Sequence, residues 1–243
     1  MSVEFRNFLL SALSPDDLDA LAPGLKQISL KRGDVLCDYG NIPEKVIFPN
    51  TAVLSIVTVM SDGSAVESST IGHESATPLL WALSREPNKG RVFTQVGGTA
   101  YTLSALKLRK QALQSPELMA LLLRHIASIS FQAEQGVACN VLHSARARLA
   151  RWILMTQDRV GQHALPLSQE YMAVMLGVQR TTITLVAGQL RDAGLIQFAR
   201  GVLEVTDRDG LESVACECYQ EVRQEFDALR QAGGRLRPAR AAQ

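Results

Sequence analysis

The sequence contains no apolar run approaching the roughly 20 residues that cross a bilayer. Its longest, such as Leu118–Leu123 and Val53–Met60, stop far short. The opening MSVEFRNFLL mixes acid and base without a cleavable signal pattern, so the expected location is the cytoplasm, with no membrane partner. Four cysteines, Cys37, Cys139, Cys216 and Cys218, are too few and too scattered for a secreted disulfide framework. Cys139 with Cys216-Glu217-Cys218 would make a thiol or metal site only if i and i+2 converged, and on one helix they face apart, so no metal is expected. No nucleophile stands beside a base at motif spacing and no glycine loop is built to cradle phosphate. These absences exclude the recognisable enzyme classes: no catalytic residue and no cofactor is expected. Internal repeats and low-complexity tracts are absent as well.

The chain has 243 residues, 47% hydrophobic and 20% charged, enough for one large globular domain or two ordinary ones. A net charge of +1 conceals an uneven distribution. Residues 1–110 balance acids against bases. From His143 to Arg200, seven arginines (146, 148, 151, 159, 180, 191 and 200) face only Asp158, Glu170 and Asp192. Arginine is the cation suited to forked contacts with phosphates and base edges. Residues 201–243 are acidic in balance, and the end, GGRLRPARAAQ, is expected to fray.

FRNFLLSAL reads as a helix, and Ser14-Pro15-Asp16-Asp17 supplies the cap, first-turn proline and acids of a second. From Leu25 to about Leu108 the pattern becomes short β-rich runs (LKQISL, VIFPN, AVLSIVTVM, AVESSTI, RVFTQV, TAYTLSAL), as in a sandwich or barrel of jelly-roll type. Ser61-Asp62-Gly63-Ser64 is a hairpin signal, and Ser84–Gly90 reads as a loop. Ser115-Pro116-Glu117 then opens a helix without proline for over twenty residues. Leu118, Leu122, Ile126 and Ile129, with Leu121 and His125, form its apolar stripe. That stripe serves either an intrachain core or, as favoured here, a dimer seam.

LPLSQEYMAVMLGVQRTTITLVAGQL has the form of a helix-turn-helix. Ser168 caps the first helix, Met172 and Met175 face inward, and Gly177 permits the turn. The second helix buries Ile183, Val186 and Leu190. Gln179, Arg180, Thr181, Thr182 and Thr184 remain at its N-terminal end and outer face. There an arginine can contact guanine and threonine can contact phosphate or a thymine methyl. A purely packing hairpin is the alternative, but β-branched threonine is a poor helix filler and three on one exposed side need a reason. Downstream, IQFA and VLEVT flank Arg200-Gly201, a hairpin with an arginine to lay along phosphates.

These stretches resemble the Crp/Fnr family of bacterial transcription regulators. LSQEYMAVMLGVQRTTIT, AGLI and RGVLEVTD are similar to its winged helix-turn-helix, KRGDVLCDYGN to the start of its cyclic-nucleotide-binding-like β-roll, and the helix from Pro116 to its dimerisation helix. The resemblance implies an α+β chain: a jelly-roll-like sensor over 1–114, a dimerisation helix over 115–142, a winged helix-turn-helix over 143–233 and a disordered tail over 234–243. Arg180 and Thr182 fall where the family places a base-reading arginine and a helix threonine. Thr181 and Leu185 depart from its acidic reader and second arginine, so the palindrome read should differ.

The effector region departs further. The family's cyclic-nucleotide motif pairs Gly-Glu with a later Arg-Ser/Thr-Ala. Here His73 separates Gly72 from Glu74, and Arg91 is followed by Val and Phe. Gly72, His73, Glu74 and Arg91 are candidate effector-pocket residues, with cyclic AMP not the expected ligand. The closely spaced N-terminal cysteines of the family's iron-sulfur sensors are missing. The leading expectation is a homodimeric regulator reading an inverted repeat in double-stranded DNA, with RNA polymerase and an unidentified small molecule as further candidate partners. The alternative is a small-molecule sensor whose winged helix contacts protein.

Overall fold

The computed structural model describes residues 5–199 and 201–235. Two short helices, α1 (Phe8–Ser11) and α2 (Pro15–Leu21), precede the sheets; Ser14 Oγ accepts from Asp17 N to start α2. The β-roll comprises β1 (Lys26–Leu30), β2 (Val35–Cys37), β3 (Lys45–Pro49), β4 (Val53–Val59), β5 (Ala65–Ile71), β6 (Arg91–Val96) and β7 (Gly98–Ser104). They pair antiparallel into two sheets, β1-β7-β3 and β2-β6-β4-β5. Leu54 and Ile71 of one sheet pack on Ile47 and Ala100 of the other. The hairpin at Ser61–Ser64 closes through Met60 N to Ser64 O, with Gly63 at φ +85°, a conformation glycine adopts without strain.

Two helices stand within the span expected to be β-rich, while the expected loop at Ser84–Gly90 carries no helix or strand beyond Ser84. α3 (Leu79–Ser84) crosses between β5 and β6. β7 stops at Ser104, whose hydroxyl caps α4 (Ala105–Gln114), so the end of the expected run TAYTLSAL, in a β-rich region expected to reach about Leu108, gives way to a helix burying Leu108 and Ala112. The β-branched half of TAYTLSAL set the strand reading; the serine cap overrides it where the branching ends.

The rest is α5 (Pro116–Leu142), α6 (Ala145–Val160), β8 (Ala164–Leu165), α7 (Gln169–Leu176), α8 (Arg180–Asp192), β9 (Ile196–Ala199), β10 (Val202–Val205), α9 (Arg208–Val214) and α10 (Cys218–Arg235). β8, β10 and β9 form a small antiparallel sheet. α10 packs along α5 and α6 and touches α1, so the last described helix ties the C-terminal half to the roll. It runs through Gly234 and Arg235, into the segment expected to be a disordered tail; residues 236–243 lie outside the described residues. Among the described residues, no helix is long and apolar enough to cross a membrane.

The long helix corrects the expected seam. Leu118 and Leu122 are 1% and 0% exposed within a single chain, in a core with α1, α3 and α4, and no second copy can reach them. Ile126 and Ile129 are half-buried against the roll. The outward stripe is instead Leu123, Ala127, Ser130, Glu134, Val137 and Val141, spaced alternately four and three residues apart, with Leu123, Val137 and Val141 54%, 68% and 79% exposed. That alternation of four and three matches the a/d spacing of a coiled-coil heptad.

Candidate nucleic-acid interface

α7 begins where Ser168 Oγ accepts from Tyr171 N at 3.2 Å, and ends at Gly177 in the left-handed conformation, φ +63°. A side chain at 177 would also meet Val66 of the roll. Val178 is half-buried and α8 starts at Arg180, anchored inward by Ile183, Val186, Ala187 and Leu190. The opposite face presents Arg180, Thr181, Thr184 and Leu185 to solvent; Thr182 is half-buried and Gln179 is exposed at the cap. Leu185 is 63% exposed, an apolar residue in an otherwise polar surface.

Two contacts cross between the helices. Arg180 pairs with Glu170 of α7 at 2.7 Å, both side chains largely solvated. Thr184 Oγ1 lies 2.9 Å from Gln169 Oε1 and 3.0 Å from the Arg180 carbonyl, two acceptors for one proton. Ser168, Gln169, Glu170, Arg180, Phe198 and Gly201 line one concave surface, which brings both helix N-termini and the β9–β10 hairpin together. Val202 pairs with Ala199, leaving a two-residue connection in which Gly201 has φ +81°. Arg200, the other residue of that connection, lies outside the described residues.

The arginine-rich segment is less available to phosphates than its charge suggests. Arg148 is buried and its guanidinium donates to the Leu176 carbonyl at the end of α7. Arg159 is also buried, donating from Nε to Glu74 Oε1 at 2.7 Å and from Nη1 to the Met155 carbonyl. Both serve the fold.

The expected effector residues do not form a ligand pocket in the roll. Glu74 accepts from Gly72 N at 2.9 Å and pairs with Arg159; a Cβ on Gly72 would sit 2.6 Å from the Arg159 side chain, so the glycine is there for close packing of α6. His73 stands edge-on to Phe8, and burial holds its pKa below the ordinary imidazole value. Arg91 is remote, paired at the surface with Asp38 at 2.9 Å. Together, Glu74 and His73 border a cavity of about 220 Å³ against α6 and α10.

The roll's own cavity, about 300 Å³, lies between β4, β5, α3 and α5, where Ile56, Ser68, Trp81, Val92, Ile126 and Ile129 are among its walls. Its lining includes Lys89 and no arginine. The nearby aromatics Phe93 and Tyr101 are not in its lining; they stand edge-on to Tyr171 and Phe5 respectively. Periodicity placed Ile126 and Ile129 on the helix's apolar face but could not show that a cavity rather than a partner faces them.

The cysteine reading is also corrected. Cys216 precedes α10 and Cys218 is its first residue, so the two are not on successive helical positions. Cys139 Sγ lies 3.4 Å from Cys216 Sγ, and Cys218 Sγ 3.5 Å from His143 Nδ1.

A helix-turn-helix followed by a β-hairpin, joined through a long helix to a β-roll, is the architecture of a winged helix carried on a β-roll. Residues 147–214 match the family model of the Crp-like helix-turn-helix domain. The fold is similar to that of a protein from Eubacterium rectale assigned to the Crp/Fnr regulators (TM-score 0.68, 15% identity, 85% of this chain and 96% of that one). It is similar also to FixK2 from Bradyrhizobium japonicum (TM-score 0.67, 16% identity, 79% and 98%). A third likeness is to a CRP-family transcriptional regulator from Thermus thermophilus (TM-score 0.65, 17% identity, 78% and 96%). No curated protein sequence matches. Residues 147–214 thus carry a Crp-like helix-turn-helix domain, and the chain around it has the fold of solved Crp/Fnr proteins.

Proposed function

We propose that the chain acts in the cytoplasm as a homodimer that reads an inverted repeat in double-stranded DNA through α8. The observation that carries this reading is the division of α8: Ile183, Val186 and Leu190 are locked into the domain core, while Arg180, Thr181, Thr184 and Leu185 face solvent beside the β9–β10 hairpin. Arg180 offers the forked donor for a guanine edge, the threonines offer phosphate or methyl contacts, and Leu185 offers an apolar contact for a thymine methyl. Ser168 at the N-terminus of α7 and Arg200 in the hairpin would hold the backbone.

The second copy is taken to pack on the outward stripe of α5 from Leu123 to Val141, which would set two α8 helices about one DNA turn apart. The cavity between the roll and α5 is the proposed effector site, its wall shared with the helix that bears the seam. Its apolar lining, with Lys89 and no arginine, suits a small, largely apolar ligand with at most one anionic group better than a cyclic phosphate.

Selection of the purified protein against random duplex DNA at about 0.15 M salt tests the reading. Enrichment of an inverted repeat is the expected result. A pool without any enriched motif, both alone and with cell-extract metabolites added, would overturn it.

A further inference from the structure

Three of the chain's four cysteines and one of its four histidines meet where α5 hands over to the DNA-binding domain. Cys139 is in the last turn of α5 and His143 caps that helix, so their i, i+4 spacing puts both on one face. Cys216 and Cys218 arrive from across the junction: α9 ends at Val214, Ala215 is extended, and the chain turns into α10. The four ligand atoms all lie within 4.8 Å of one another.

Buried cysteines ordinarily behave as small apolar side chains. Here the distances say more. In a tetrahedral zinc site, Zn–S bonds of about 2.3 Å and a Zn–N bond of about 2.0–2.1 Å put neighbouring ligand atoms roughly 3.5–3.8 Å apart. The 3.4 Å between Cys139 and Cys216 and the 3.5 Å between Cys218 and His143 are close to those edges, and the remaining pairs lie within 4.8 Å.

The surroundings are those of a metal site. His143 Nδ1 faces Cys218 while its Nε2 lies 3.1 Å from the Glu217 carboxylate, which would hold the imidazole with Nδ1 free to ligate. Gln135 Nε2 donates to Cys218 Sγ at 3.1 Å. Three thiolates around Zn²⁺ leave one negative charge in excess, and Arg148 and Arg151 of the adjoining α6 each keep a buried Nε with no hydrogen-bond partner among the described residues.

We propose that Cys139, His143, Cys216 and Cys218 form a closed Cys₃His site for one zinc ion. With all four positions taken by protein the ion is structural, and it clamps the start of α10 to the end of α5, bracing the two-residue junction His143-Ser144 between α5 and α6.

The full chain, purified under reductant and stripped of metal, would be titrated with Co²⁺ and then Zn²⁺. One Co²⁺ per chain is expected, with the absorption of a tetrahedral thiolate complex that zinc bleaches. Cys216→Ser and Cys218→Ser should lose the thiolate-to-cobalt band and Cys37→Ser should keep it, while Glu217→Gln should weaken affinity by about 10- to 100-fold. Substoichiometric binding by the reduced, folded wild type, a cobalt spectrum without thiolate character, or assembly of an iron-sulfide chromophore in preference to zinc would each overturn the assignment. The wild-type titration decides even if a cysteine variant does not fold, and it is independent of DNA binding.

Discussion

Glu74, just beyond β5 of the roll, and Arg159, in α6 of the DNA-binding half, are joined at 2.7 Å with side chains 6% and 5% exposed. Each is held a second time, Glu74 by the Gly72 amide and Arg159 by the Met155 carbonyl. The two halves of the chain therefore meet across a buried charge pair, where loss of one partner leaves the other uncompensated.

Arg159→Ala should lower the stability of the whole chain by about 3–5 kcal/mol in urea unfolding, because the Glu74 carboxylate stays buried without its cation. The double variant Glu74→Leu/Arg159→Met should recover most of the loss. A single-variant cost below about 1 kcal/mol would mean that water reaches the pair.

Arg180→Ala is expected to cost about 1–3 kcal/mol in binding the selected DNA and to relax one base position, with little change in stability because its pair with Glu170 is solvated. Glu170→Ala, which frees the guanidinium and removes an acid from the interface, should tighten binding to all sequences. Binding isotherms on selected and scrambled duplexes separate the two effects. Unchanged preference in Arg180→Ala would remove α8 as the reading helix.

Arg200→Ala should weaken selected and scrambled duplexes alike and reduce the slope of log K against log salt by about 1. A salt titration of both duplexes measures it. Loss confined to the selected duplex would make Arg200 a base reader instead.

Along α5, two substitutions should behave oppositely. Val137→Glu, on the outward stripe, should yield folded monomers in sedimentation, whereas Leu118→Ala should leave the oligomeric state unchanged and destabilise the fold by about 2–5 kcal/mol. Monomers from Leu118→Ala at full stability would restore the first seam.

His125 is buried, within 3.1 Å of Ser75 Oγ, and burial pulls its pKa down from 6.5 to about 4, against a smaller opposing pull from Glu74. The unfolded chain thus takes up a proton in a range where the folded chain does not. Stability from this group is complete above pH 6.5 and is lost as pH falls towards 4, by about 2 kcal/mol between pH 7 and pH 5. His73, shifted in the same direction, adds to the slope. Urea midpoints of the wild type and His125→Asn at the two pH values isolate the His125 share; equal losses in both would assign the slope elsewhere.

The DNA-binding half was legible because its signals are local. Ser168, Gly177 and the Ile183, Val186 and Leu190 spacing each act within a turn or two of chain, through a cap, a positive φ and a helical period. The same locality exposed the β4–β5 hairpin and the caps at Ser14 and Ser115. What lies between elements was not legible. α5 is apolar on more than one side, and periodicity shows that such faces exist without saying which one α1, α3 and α4 will cover. Packing of those helices made Leu118 core and left Val137 outside. Gly72 and Glu74 read as remnants of a ligand motif until α6 brought Arg159 against them across 85 residues of sequence. Cys139 and Cys216, 77 residues apart, likewise meet only because α10 folds back along α5. Local residue chemistry thus set the strands, helices, caps and the exposed polar face of α8, while the burial of one charge pair, one helix stripe and one thiol cluster was decided by which surfaces the whole chain removed from water.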